Sequence, residues 1–135
     1  MFLIPISKNG RKSTDILKSL EFDGRESILK IVGDGIKYLK EDNFTNFNQL
    51  ILDSWEEKKK TSDLITNTEV VDIENLIKNN SYSSNLYYKL CGAGGGGYML
   101  LIKEKNEKNS LDLLEKKSYI NITIDNRGIK YWELN

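Results

Sequence analysis

Apolar residues recur along this chain with two different periods. Phe2, Leu3, Ile4 and Ile6 form a short apolar run closed by the turn-rich Ser7-Lys8-Asn9-Gly10, which predicts a strand and a turn, and the polar run from Arg11 to Leu20 predicts a short helix. From Arg25 onward Ile28, Leu29, Val32, Ile36 and Leu39 follow helical spacing. Gly33 and Gly35 weaken that helix, at about 1 kcal/mol each relative to alanine. Asp42-Asn43 supplies a cap, after which Phe44, Phe47, Ile51, Trp55 and Lys58 recur on one face of a further helix. Thr66 and Glu69 have capping-box spacing ahead of Val70, Ile73, Leu76 and Ile77, which predicts another.

The polar stretch Asn79 to Asn85 predicts a loop, and the pattern then changes to β-prone runs. Leu86 to Cys91 and Tyr98 to Ile102 are expected to be strands separated by Gly92-Ala93-Gly94-Gly95-Gly96-Gly97. A charged helix from Ser110 to Lys117 precedes the alternating Tyr119 to Ile124 and a last strand near Ile129 to Leu134, with Asp125-Asn126-Arg127-Gly128 as their hairpin turn. Helices and antiparallel strands in segregated groups predict an α+β fold, with helices covering one face of an antiparallel sheet. Residues 1–135 read as a single domain, with no internal repeat and no dividing linker.

Charge and composition narrow the chemistry. Twenty basic residues balance twenty acidic ones, so no net field draws the chain to nucleic acid or to an acidic membrane. No apolar run approaches the ~20 residues that span a bilayer, and Met1 to Ile6 is too short for a signal-peptide core. One cysteine, Cys91, rules out an intramolecular disulfide, and residence in the cytoplasm is expected. With no histidine, the usual zinc, copper and haem sites and most nucleophilic triads are absent. Any chemistry falls to carboxylates, lysines and backbone amides.

Gly92, Gly94 and Gly97 satisfy the dinucleotide pattern G-x-G-x-x-G, but that motif requires a helix to begin within the loop, and here Tyr98 to Ile102 reads as a strand. Nor does a Lys-Ser or Lys-Thr pair follow the glycines, as a nucleoside-triphosphatase phosphate loop demands. Two readings stay open. The loop is an irregular hairpin packed against something bulky, or it admits a phosphate or another backbone close to its amides.

The stretch Lys89-Leu90-Cys91-Gly92-Ala93-Gly94-Gly95-Gly96-Gly97-Tyr98-Met99-Leu100-Leu101 resembles the glycine-rich third motif of the GHMP kinases. Ser54-Trp55-Glu56-Glu57-Lys58-Lys59 and Ile65-Thr66-Asn67 resemble the heptose and fucose kinase branch of that family, and Gly10-Arg11-Lys12-Ser13-Thr14-Asp15-Ile16-Leu17 does so more loosely. The resemblance implies the carboxy-terminal, ferredoxin-like domain of a sugar or heptose-phosphate kinase, of the kind serving capsule or lipopolysaccharide precursor synthesis. The family motif Pro-x-x-x-Gly-Leu-Gly-Ser-Ser, which holds ATP in the other lobe, does not occur in these residues. ATP and Mg2+ are therefore expected of a complete kinase and not of this chain alone, which is expected to be inactive. By the same resemblance Lys89 and Gly92, Ala93, Gly94, Gly95, Gly96 and Gly97 form a wall of the phosphotransfer cleft, and no catalytic or metal-binding residue is assigned to the chain. Trp55 and Lys58 border the acceptor-sugar pocket, and Arg11 contacts a phosphate. Core packing for Trp55 and solvent exposure for Lys58 and Arg11 are the alternatives. Tyr87 and Tyr88 stand where the family has small residues and are expected to narrow the approach. The partners implied are a sugar or sugar-phosphate substrate and a complementary amino-terminal lobe or a homo-oligomer. The competing function is a non-catalytic α+β interaction domain derived from such a kinase.

Overall fold

The computed structural model describes residues 1–7, 13–20, 25–80, 86–103 and 118–124, the side chains of residues 25 and 80 excepted. Its elements follow the order β1 (Phe2–Ile6), α1 (Ser13–Lys18), α2 (Arg25–Lys40), α3 (Phe44–Lys59), α4 (Thr68–Asn80), β2 (Leu86–Cys91), β3 (Gly97–Lys103) and β4 (Ile120–Asn121). The four strands form one sheet in the order β2-β3-β1-β4, antiparallel throughout. The expected α+β class with an antiparallel sheet is thus observed. Arg11, the Ser110 to Lys117 helix, the Asp125 to Gly128 turn and the Ile129 to Leu134 strand lie outside the described residues.

Register decides which strand residues enter the core. Ile4 pairs with Met99 and Phe2 with Leu101, while Leu90 pairs with Met99 and Tyr88 with Leu101, so these side chains share one face of the pleat. That face packs against Ile16 of α1, Trp55 of α3 and Val70, Ile73 and Ile77 of α4, together with Ile65 from the α3–α4 connection. Helices cover this face as the pattern predicts. α2 adds nothing to the core cluster among the described residues and packs instead against α3, where Gly35 nestles beside Leu50 and Phe47.

The helix boundaries follow from their caps. Asn43 accepts a bond from the Asn46 amide and opens α3, as the sequence predicts. Asp42 has a left-handed φ of 52°. Around it the Asn43 amide donates to Tyr38 (2.9 Å) and the Asp42 amide to Leu39 (3.4 Å), the bond pattern of a Schellman motif that closes α2. The capping box expected at Thr66 and Glu69 is displaced by one residue. Asn67 Oδ1 accepts from the Val70 amide at 2.8 Å, which makes Asn67 the cap of α4. Glu69 is drawn off instead to accept from the Ser7 amide at 2.9 Å, beyond the end of β1. The alternation from Tyr119 to Ile124 yields only the two-residue β4, although the Ile122 amide still reaches the Met1 carbonyl and Tyr119 stacks edge-on against Phe2. No helix among the described residues is long and apolar enough to cross a membrane.

Candidate functional site

The glycine segment joins β2 to β3 as a hairpin connection, and five of its residues (Gly92, Gly94, Gly95, Gly96 and Gly97) have positive φ. Gly94 is the tightest of them. A β-carbon there would stand 2.9 Å from the Ile65 Cα and 3.2 Å from its carbonyl oxygen, so no side chain fits. The Gly95 amide donates to the Ile65 carbonyl at 2.8 Å, and its own carbonyl accepts from Asn67 Nδ2 at 2.9 Å. One side of the loop is therefore fastened to the connection between α3 and α4, and Gly95 spends both backbone groups on that contact. Among the described residues the amides of Ala93, Gly94 and Gly96 find no acceptor.

Lys58 meets the other side. Its ammonium donates to the Gly92 carbonyl, three residues along α3 from Trp55 and 5.9 Å from the indole ring centre. Burial lowers the Lys58 pKa, the positive charge of Lys89 lowers it further, and Cys91 opposes the shift. Lys89 sits on β2 opposite Leu100, and strand alternation turns it away from the face bearing Tyr88 and Leu90. Lys58, Gly92 and Ala93 line a cavity of about 400 Å³ whose remaining walls are Leu17, Leu20, Ile28, Ile31, Val32, Ser54 and Thr61. Three residues singled out from the sequence thus share one hollow. Its lining is mainly aliphatic.

Trp55 lies beneath this site and is fully buried, with no surface for a ligand to touch. Its indole N–H donates to Glu74 Oε1 at 2.7 Å, and Lys59 Nζ reaches the same oxygen at 3.1 Å while bonding Glu56 at 2.8 Å. Burial works against the Lys59 charge, but its bonds to Glu56 and Glu74 prevail and its pKa is raised. A buried carboxylate satisfied by an indole and an ammonium fixes α3 against α4, and so sets the height at which Lys58 meets Gly92. Tyr87 and Tyr88 are both buried and neither lines the cavity, so the narrowing expected of them does not arise there.

Sequence reasoning passed over Glu74, Ser54 and Thr61. Glu74 carried a signal, because it is a charged residue inside the apolar series Val70, Ile73, Leu76 and Ile77, and such a residue needs a partner. Ser54 was quoted within the segment that carries the resemblance but given no role, and Thr61 follows that segment closely; ordinary surface hydroxyls look the same in sequence. Among the described residues no cluster of three histidine, cysteine, aspartate or glutamate side chains is placed to hold a metal ion.

The arrangement is a hairpin loop in which the Ala93 and Gly94 amides, both partly exposed, have no acceptor among the described residues and stand beside a lysine. Comparison with known proteins points to one enzyme class. The D-glycero-alpha-D-manno-heptose 7-phosphate kinase of Campylobacter jejuni serotype O:2 is 30% identical over 96 residues, which cover 68% of this chain and 27% of that enzyme. The chain therefore spans about a quarter of the length of that curated relative, and over that stretch it is related in sequence to a sugar kinase. No protein-family model matches the chain, and no solved structure matches it.

Proposed function

We propose that this chain is the carboxy-terminal-type domain of a GHMP-class sugar or heptose-phosphate kinase, with residues 92–97 and Lys58 forming one wall of the phosphotransfer cleft. The observation that carries the reading is the contact between Lys58 and Gly92 at the rim of a cavity, with the unaccepted amides of Ala93 and Gly94 close by. The strand order β2-β3-β1-β4 supports it, because it is the order of a ferredoxin-like sheet. So does the partial match to the heptose 7-phosphate kinase.

Phosphoryl transfer rests on positioning and on neutralising charge over the transferred group. The loop amides and Lys58 fit part of that task, since they present donors and a cation to nucleotide or sugar phosphate. Among the described residues no three histidine, cysteine, aspartate or glutamate side chains come together at a site for magnesium. Its ligands and the ATP-holding motif are assigned to polypeptide outside these residues. On this reading the chain acts in the cytoplasm, in capsule or lipopolysaccharide precursor synthesis, and is inactive alone.

The test is a coupled assay with ATP, magnesium and heptose 7-phosphate, run on the chain alone and with a complementary amino-terminal lobe added. Turnover is expected only for the combination, and Lys58→Ala should reduce it about tenfold or more, the loss of a charged phosphate contact. Turnover by the isolated chain, or none in the combination, would sink the proposal. A second reading, a non-catalytic interaction domain derived from such a kinase, is favoured by the aliphatic lining of the cavity, where Ser54, Thr61 and Lys58 are the only polar side chains among the described residues.

A further inference from the structure

Helices α2 and α3 leave a trough between them that runs well past the glycine hairpin. The cavity beside Lys58 is continued by a second hollow of about 270 Å³, and Ile31, Val32 and Ser54 line both. The second hollow ends at Leu39 and Phe47. From Ile28 to Leu39 the trough follows α2 for about 16 Å at the helical rise. Its walls are open to water, with Ile28, Val32, Ile36 and Leu39 39–54% exposed.

Polar groups along the trough are few and unevenly placed. Ser54 donates to the Ile51 carbonyl and Thr61 to the Lys58 carbonyl, each at 2.8 Å, so both hydroxyl protons are spent on backbone. Lys58 is the one charged side chain among the described lining residues, and it stands at the hairpin end. One of its donors goes to the Gly92 carbonyl, and among the described residues no carboxylate pairs with it. Ala93, whose amide has no acceptor among the described residues, lines the same end. Burial and the charge of Lys89 both disfavour the Lys58 ammonium, and an anion beside it would oppose both.

From this asymmetry we propose that the trough binds a single-chain aliphatic anion, its carboxylate or phosphate head at Lys58 and its tail lying between α2 and α3 toward Leu39 and Phe47. The two ends fix the chemistry of the occupant. One end offers a cation without a counter-ion, the other only apolar side chains, and a molecule with one charged head and an unbranched tail matches both. A free sugar does not match, because most of its hydroxyls would be desolvated against these walls without partners. A mainly apolar hollow with a small number of placed polar groups is the usual form of a small-ligand site. The proposal goes beyond the kinase reading and does not rest on it.

Isothermal titration calorimetry on the 135-residue chain with butyrate, octanoate, decanoate, decyl phosphate and decanol tests it. Affinity for the carboxylates is expected to rise about fourfold for each added methylene, with a negative heat-capacity change. Lys58→Met keeps an apolar stem, and should weaken decanoate about tenfold while leaving decanol unchanged. Val32→Glu, at a half-exposed position shared by both hollows, should weaken decanoate at least tenfold with the far-ultraviolet circular dichroism unchanged. Either order of decanoate and decyl phosphate supports the proposal and names the head. No saturable binding of either, an affinity indifferent to chain length, or decanol binding as tightly as decanoate overturns it. Because binding is read on the chain alone and turnover only with a complementary lobe, that failure would leave the kinase reading intact.

Discussion

The β2–β3 hairpin and helix α2 carry comparable runs of large apolar side chains and meet opposite fates. Leu86, Tyr87, Tyr88, Leu90, Met99 and Leu101 are buried, whereas Ile28, Leu29, Val32, Ile36 and Leu39 stand in solvent. The hairpin strands are held by register on one side and roofed by three helices. α2 has α3 as its neighbour and nothing described on its outer face. Periodicity specifies which element forms and which side of it is apolar, but burial requires an adjoining layer, and the period does not reveal whether that layer belongs to the same chain.

The sharpest way to break this contrast is to add one methyl group to the hairpin. Gly94→Ala would push a β-carbon into the Ile65 backbone at a φ of 131°, and neither backbone can yield without losing the bond between the Gly95 amide and the Ile65 carbonyl. Strain and overpacking together should destabilise the chain by about 3 kcal/mol or more. Urea denaturation measures this directly. A loss below about 1 kcal/mol would mean that the hairpin is not anchored through Ile65 at all.

The same contrast explains what was legible in the sequence. β1, β2, β3 and helices α2, α3 and α4 could be read because each has a strong period or a cap, whereas α1 was legible only as a polar run after a turn. Resemblance set Lys58 beside the acceptor-sugar pocket and the glycines along the cleft without pairing them, and the contact between Lys58 and Gly92 comes from the structure. The role of Trp55 could not be read, since a tryptophan on an apolar helical face looks the same whether it lines a pocket or sits under one. What settles it is Glu74, nineteen residues away, which claims the indole N–H from another helix. The α4 cap was missed by one residue because Thr66 and Asn67 are both competent caps, and Glu69, the expected reciprocal partner, is taken by Ser7. The exposure of α2 was invisible for the reason already given.

Alkaline titration separates the two regions next, because the groups perturbed in the alkaline range, Tyr88, Lys58 and Lys59, lie on the hairpin side. Burial, and after it the charges of Glu74 and Glu56, raise the Tyr88 pKa well above its ordinary value of 10.0. Above that value the unfolded chain gives up a proton that the folded chain keeps, so stability falls as pH rises. Lys59, also raised, adds to the fall above its ordinary 10.5, where the unfolded chain again binds fewer protons. Lys58 acts in the opposite sense, since its lowered pKa lets the folded chain shed a proton first, but its window closes at 10.5. The urea midpoint is therefore expected to drop from about pH 10 upward, and Tyr88→Phe should flatten that drop. An equally steep decline in the variant would show that the hydroxyl is not held neutral by its surroundings.

The smallest effect has the opposite sign and uses the same chemical change as the largest. Gly33 lies inside α2 with open space where its β-carbon would be, so Gly33→Ala removes unfolded-chain entropy and improves helix propensity without displacing anything. A gain of about 0.5–1 kcal/mol is expected, read as a rise in Tm of about 2–5 °C. One methyl group would then destabilise the sealed region strongly and stabilise the open one slightly. A loss at Gly33 would mean that this flank of α2 is already covered within the chain, and the contrast with the hairpin would fail.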